Sequence, residues 1–175
     1  VPDPAEKWQM PPEHPDSKAV IKEMKSIMRF WLEMGASGFR VDMASSLVKG
    51  DTDFKYTTAI WRDIREMMDK EYPEAVLISE WGSPSNAIKA GFHVDFLLHF
   101  NGNAYTSLFR KEIAFFSEDK KNTGCSFFSK EGKGDIMEFL DEYTDHYNKT
   151  KKSGLIAIPS GNHDMPRISY KKTKR

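Results

Sequence analysis

Gly38-Phe39-Arg40-Val41-Asp42 is the stretch that decides the fold. It is short and mostly apolar, it follows a long amphipathic segment, and it ends on a carboxylate. Two later stretches repeat the design. Ala75-Val76-Leu77-Ile78-Ser79-Glu80 is one, and Gly154 to Pro159, followed by Asn162-His163-Asp164, is the other. The first of these is almost continuously apolar, as strands of buried parallel sheets are. Helical sequence separates each strand from the next. Repeated strand-helix-strand order requires crossover connections and a parallel sheet. Carboxylates at the C-terminal ends of such strands occupy the place where a β/α barrel carries its chemistry.

The rest of the chain fits around these strands. Residues 1–16 are rich in Pro and acidic side chains and read as a loop. Asp16 or Ser17 caps a helix running to about Met34. Its apolar positions Val20, Ile21, Met24, Ile27, Met28, Trp31 and Leu32 form a one-faced stripe, and Gly35 is a suitable stop. The first strand spans Ser37 to Asp42. After a loop from Ala44 to Lys55, a second helix runs from about Tyr56 to Glu71. Ile60, Trp61, Ile64, Met67 and Met68 point inward, and Tyr72-Pro73 ends it. Ser83 to Ala90 is expected as a short helix and Val94 to Phe100 as the third strand. Residues 101–134 are irregular: a helix from about Tyr105 to Phe116, then a mobile loop excursion over 117–134. Asp135 caps a helix to about Asn148 carrying Ile136, Phe139, Leu140, Tyr143 and Tyr147. No Gly-x-Gly-x-x-Gly follows the first strand, which disfavours a dinucleotide-binding sheet. The expected fold is α/β, a partial TIM-type (β/α)8 barrel with about four parallel strands and intervening helices. Four strands do not close an eight-strand barrel, so residues 1–175 read as the middle of one catalytic barrel domain.

Composition narrows the partners. The 175 residues carry 26 basic and 26 acidic side chains, a balance that argues against a nucleic-acid or anionic-membrane partner, which would favour a basic face. The only concentrated basic stretch, Lys171-Lys172-Thr173-Lys174-Arg175, reads as a solvated tail. The single cysteine, Cys125, has no partner for an internal disulfide, and its polar surroundings suggest a thiol without a role. No apolar run approaches the roughly 20 residues of a membrane helix. The opening Val1-Pro2-Asp3-Pro4 does not read as a secretory leader.

Side chains alternate along a strand, so Arg40 and Asp42 share one face while Phe39 and Val41 share the other. A guanidinium beside a carboxylate keeps it ionised, which suits a nucleophile. On this segment alone, a structural Arg–Asp pair within a sheet is the commoner reading. Ile78 and Glu80 share a face. Burial of Glu80 beside Trp81 would raise its pKa, the condition for a carboxylic acid that donates a proton near neutral pH. A solvated glutamate at a strand end is the alternative. Two carboxylates on opposing strand ends are the working parts of glycoside hydrolysis. His163 beside Asp164 fits a metal site, a hydrogen-bonded loop or a substrate clamp, and no second cluster with ligand spacing supports the metal. His93 and His99 read as ordinary strand or loop residues, and His14 and His146 as surface residues. Trp31 and Trp61 lie on helix stripes and are expected in the core. Trp81, at a strand end, is placed to stack on a sugar ring.

Taken together, the three segments resemble the α-amylase family of glycoside hydrolases. Gly38-Phe39-Arg40-Val41-Asp42 looks like the family's fourth-strand segment, Ile78-Ser79-Glu80-Trp81 like its fifth and Asn162-His163-Asp164 like its seventh. The resemblance covers nearly the whole chain, from the third barrel helix to just past the seventh strand. It implies that Asp42 is the nucleophile, Glu80 the general acid/base, and Asp164 a ligand of sugar hydroxyls that favours the distorted ring. It also implies that Arg40 orients and ionises Asp42 and that His163 bonds the same sugar. The expected outcome is retention, with carboxyl groups roughly 5–5.5 Å apart. The partner implied is an oligosaccharide or polysaccharide with α-glucosidic linkages, without nucleic acid or membrane. A transglycosylase, or a non-catalytic carbohydrate-binding or scaffold relative, is the alternative. The family's third-strand segment, which carries an Asp, a His and an Asn that helps bind calcium, is expected before Val1. Where many amylases have a Lys-His pair after the nucleophile, this chain has Ser45-Ser46. Calcium is therefore left to a full-length parent, with no metal residue assigned here. Open sheet edges and helix faces predict self-association of the isolated chain.

Overall fold

The computed structural model describes residues 3, 5–6, 8–97, 105–109 and 124–164. Its elements alternate along the chain. They are α1 (Pro15–Glu33), β1 (Gly38–Val41), a 3₁₀ turn (Ala44–Ser46), α2 (Lys55–Glu71), β2 (Val76–Ser79), α3 (Pro84–Ala90), β3 (Val94–Phe96), α4 (Tyr105–Phe109), α5 (Met137–Thr150) and β4 (Leu155–Ala157). Among the described residues the four strands form one sheet in the order β1-β2-β3-β4, and every pairing is parallel. A doubly wound sheet reverses its order at a switch point. Here each strand lies beside the next one in sequence, which is the order of a barrel segment.

Register gives the two faces different work. Arg40, Ile78, Val94 and Leu155 lie opposite one another across the strands. The other face carries Val41, Ser79, Asp95 and Ile156 in the same way, with Phe39 opposite Leu77. That second face packs on the helices. Leu77 is fully buried, and the cluster around it includes Trp61, Ile64, Met67, Met68, Ala87 and Phe92. The first face is left open, with Leu155 69% and Val76 36% exposed. Parallel sheets are ordinarily covered on both faces, so this open face is the signature of a partial barrel.

Polar side chains tie the helices together. From α2, the Arg62 Nε–H donates to the Lys89 carbonyl at 3.0 Å and an Arg65 Nη1–H to the Gly91 carbonyl at 2.8 Å. Both satisfy acceptors at the C-terminal end of α3, where cations are favoured. Arg29 of α1 forms a two-pronged bond with Glu71 at the end of α2, at 2.6 and 2.8 Å. Its planar fork matches a carboxylate.

Several expectations change on the helices. The α1 cap is His14, whose Nδ1 accepts from the Asp16 N–H at 3.2 Å, with Pro15 opening the helix. Pro at the first helical position explains the shift, since its missing N–H is not needed there. Of the α1 stripe, only Met28 and Leu32 are buried. Trp31 is 53% exposed and not core, because the stripe is wider than the part of it that α2 covers. Trp61, by contrast, is buried and its indole N–H donates to the Ala44 carbonyl at 2.9 Å. His146 is not a surface residue: its side chain is 14% exposed, and its Nδ1 lies 2.7 Å from the Ser85 hydroxyl across the α3–α5 contact. His14 is half-buried. His93 accepts from the Leu77 N–H at 3.0 Å, a role within the sheet.

The third strand is shorter than expected within the described residues, and His99 lies outside them. So do the continuation of α4 to residue 116, residues 117–123 of the expected excursion, and the basic tail. In the described part of that excursion, the Phe127 N–H donates to the Ser107 carbonyl and the Phe128 N–H to the Leu108 carbonyl. No helix among the described residues is long and apolar enough to cross a membrane.

Candidate active site

Two carboxylates are delivered to the C-terminal edge of the sheet by neighbouring parallel strands. Asp42 follows β1 and Glu80 follows β2. The Glu80 N–H donates to the Val41 carbonyl at 2.9 Å, so the residue before Asp42 holds the backbone of Glu80. Met43 turns the chain away at once, with a left-handed backbone at φ 46°. This is an uncommon conformation for a residue other than Gly.

Arg40 joins the pair. One guanidinium nitrogen lies 2.5 Å from Asp42 Oδ1 and the other 2.6 Å from Glu80 Oε1. The two partners sit in different surroundings: the Asp42 side chain is 70% exposed and that of Glu80 only 7%. Their acidities diverge accordingly. The hydrogen bond from Arg40 holds the Asp42 carboxyl below its ordinary range, and a hydrogen bond with Glu80 adds to this. Burial pushes the Glu80 carboxyl up, and the hydrogen bond with Asp42 adds to that, while the charge of Arg40 opposes it. The two neighbouring carboxyls are thus driven in opposite directions, with Glu80 holding its proton to higher pH than Asp42. Pairs of carboxyls driven apart in this way can divide acid and base roles between them.

The loop after β4 adds two groups. His163 helps to lower the Asp42 pKa and Asp164 helps to raise that of Glu80, so both lie within electrostatic reach of the pair. His163 Nε2 is 3.3 Å from Asp164 Oδ2, and their side chains are 72% and 43% exposed. The Asp164 N–H donates to the Asn162 side-chain oxygen at 3.0 Å, which shapes the loop. A cavity of about 190 Å³ lies here, lined by Arg40, Glu80, Phe96, Pro159, Asn162 and His163 among others. The structure thus gathers Arg40, Asp42, Glu80, His163 and Asp164 at the C-terminal end of one sheet.

Trp81 is a correction. It is 7% exposed and part of the core, edge-on to Phe54 at 5.0 Å and to Phe92 at 6.4 Å. Its ring is turned toward the helices, so it is not open to stack on a sugar. Strand alternation explains this, since the residue after Glu80 faces the opposite side. A larger cavity, about 470 Å³, lies between α1, α2 and residues 8–12. It is lined chiefly by apolar side chains and touches none of the carboxylates, so size alone does not mark the chemistry. Among the described residues no group of three or more His, Cys, Asp and Glu side chains is arranged to hold a metal ion.

Asp95, in the middle of β3, is a residue that reading of the sequence passed over. It is fully buried. Burial pushes its pKa up to about 6, against bonds that lower it. The available signal was a carboxylate inside the apolar run Val94-Asp95-Phe96-Leu97.

Comparison with known proteins adds to this geometry. The family model described as alpha amylase, catalytic domain, matches residues 8–174. Similar proteins include the trehalose synthase/amylase TreS of Mycolicibacterium smegmatis, 35% identical over 69 residues. That match covers 37% of this chain and 12% of the relative. The salivary alpha-glucosidase of Aedes aegypti is 44% identical over 43 residues, covering 22% of this chain and 7% of the relative. Maltase A1 of Drosophila melanogaster is 51% identical over 35 residues, covering 20% and 6%. Each match thus spans a small part of the relative's length.

Proposed function

Because this chain belongs to the α-amylase family, we propose that it supplies the central part of the catalytic barrel of a retaining glycosidase acting on α-glucosidic linkages. Its substrates are starch-like glucans or maltooligosaccharides. The observation that carries this reading is the Arg40 guanidinium bonded to both Asp42 and Glu80, with the two carboxyls driven in opposite directions.

The chemistry divides as follows. Ionised Asp42 attacks the anomeric carbon, and protonated Glu80 gives its proton to the departing glycosidic oxygen. A glycosyl ester on Asp42 results. Glu80, now ionised, takes a proton from water as that water attacks the anomeric carbon, releasing the sugar and restoring both groups. Arg40 keeps Asp42 ionised and aimed. Asp164 and His163, on an exposed loop beside the cavity, bind hydroxyls of the same sugar.

The test is turnover of a chromogenic maltooligosaccharide by the full-length parent enzyme. Asp42→Asn and Glu80→Gln are each expected to cost at least about 100-fold in kcat, the low end of what acid–base and nucleophilic groups contribute. Unchanged turnover in Asp42→Asn would refute its assignment as nucleophile. The name of the mycobacterial relative, a synthase as well as an amylase, favours glycosyl transfer as a second reading. Product analysis separates the two, since transfer yields new disaccharide where hydrolysis yields free sugar. A non-catalytic role fits less well, because all three carboxylates are present.

A further inference from the structure

Asp95 makes no contact with the open face of the sheet, yet it is bonded on both sides of Glu80. Its Oδ1 accepts from the Ser79 hydroxyl at 2.6 Å and from the Trp81 N–H at 3.0 Å. Its Oδ2 accepts from the Ser83 N–H at 2.9 Å. The residues immediately before and after Glu80 thus converge on one oxygen of a fully buried carboxylate. Between Trp81 and Ser83 the chain turns through Gly82 at φ 72°, outside the region favoured for side-chain-bearing residues. From the opposite side, the Glu80 N–H is held by the Val41 carbonyl of β1.

The geometry points to Asp95 as a positioning residue for the acid/base carboxyl: a clamp on β3 that fixes the β2–α3 turn and so sets where Glu80 meets Asp42 and the sugar oxygen. This rests on the assignment of Glu80 as acid/base. Without it the Trp81 and Ser83 N–H groups would lose their acceptor, and the Ser79 hydroxyl would keep only its longer bond to the Val94 carbonyl at 3.3 Å. A turn deprived of them would relax, and Glu80 would move with it. Misplacement of a reacting group by about 1 Å can cost on the order of 100-fold in rate.

Stability alone does not distinguish a clamp from an ordinary buried carboxylate, but the leaving group does. Proton donation matters for a sugar leaving group and hardly at all for fluoride. The experiment compares kcat/KM of the full-length enzyme on a maltooligosaccharide and on α-glucosyl fluoride. The variants are Asp95→Asn, Ser79→Ala and, as the control, Glu80→Gln. Asp95→Asn keeps the shape but presents an N–H₂ group to one of the donors. It is expected to lose about 10- to 100-fold on the oligosaccharide and less than about threefold on the fluoride. Ser79→Ala removes only one of the three groups that Asp95 holds and is expected to shift the ratio in the same sense, by a smaller factor. Equal losses on both substrates in Asp95→Asn would overturn the proposal, because they report only fewer working molecules. Should that variant not fold, Ser79→Ala decides by the same ratio. A Glu80→Gln control that loses equally on both substrates would instead refute the acid/base assignment itself.

Discussion

Gly38 holds β1 against β2, and replacing it with Ala should damage fold and site together. At Gly38 the backbone has φ +143°. A Cβ built there would lie 2.0 Å from the Val76 carbonyl oxygen and 2.7 Å from its nitrogen. Contacts under 3.0 Å essentially never occur, so β1 must withdraw from β2 by about 1 Å at this pair. The bond from the Val76 N–H to the Ser37 carbonyl, now 3.0 Å, then passes out of hydrogen-bonding range. The backbone strain costs about 1–3 kcal/mol and the lost bond about 1 kcal/mol, for a total of about 2–4 kcal/mol. In a chain of this size that corresponds to about 10 °C in Tm. The displacement also travels two residues to Arg40, whose bond to Glu80 is 2.6 Å. A loss of about 100-fold in kcat should accompany the thermal shift. Thermal unfolding followed by circular dichroism, with turnover on the same samples, measures both. A Gly38→Ala protein whose Tm stays within about 2 °C of the parent would refute the close-approach argument, since even the strain alone is worth more.

Three further outcomes are expected. Arg40→Met removes the group that lowers the Asp42 pKa and opposes the rise of Glu80. Both limbs of the pH profile of kcat/KM should then move to higher pH, and a profile that stays in place, or moves down, would contradict the role given to Arg40. Asp95 has a folded pKa of about 6 against an ordinary 3.8, so the folded state holds its proton longer than the unfolded chain. Its contribution to stability is present below pH 3.8 and lost as pH rises to about 6, a change of about 3 kcal/mol. Urea unfolding at pH 4 and pH 7 should show that loss in the parent relative to Asp95→Asn, and parallel pH dependences would sink it. The isolated chain should self-associate through the open sheet face and the uncovered side of α1, where Val20 is 63% and Phe30 56% exposed. Light scattering that shows monomer at every concentration would count against this.

Much of the architecture was legible because it rests on short-range regularities. A period of two placed Arg40 and Asp42 on one face of β1, and their bond at 2.5 Å follows from that. The apolar run before Glu80 signalled its burial. What escaped depends on distant parts of the chain. The α1 stripe showed which side of the helix is apolar, but not how much of it a neighbour covers, so Trp31 was misplaced. His146 sits among polar neighbours in sequence, and its partner Ser85 is 61 residues away. Trp81 looked available because it ends a strand, yet its direction is set by pleat alternation and by the turn at Gly82. Asp95 was visible as an anomaly in an apolar strand. Its meaning came only from the β2–α3 turn, which folds over from the strand next door.

The alternation along β2 has a consequence for how this region can change. Leu77 and Ser79 face the helices, while Ile78 and Glu80 face the open side. Removing one residue from β2 would leave composition and hydrophobicity almost untouched. It would nevertheless exchange odd for even, sending the glutamate among the helices and a serine into the cleft. A strand that carries chemistry can therefore change length only in steps of two.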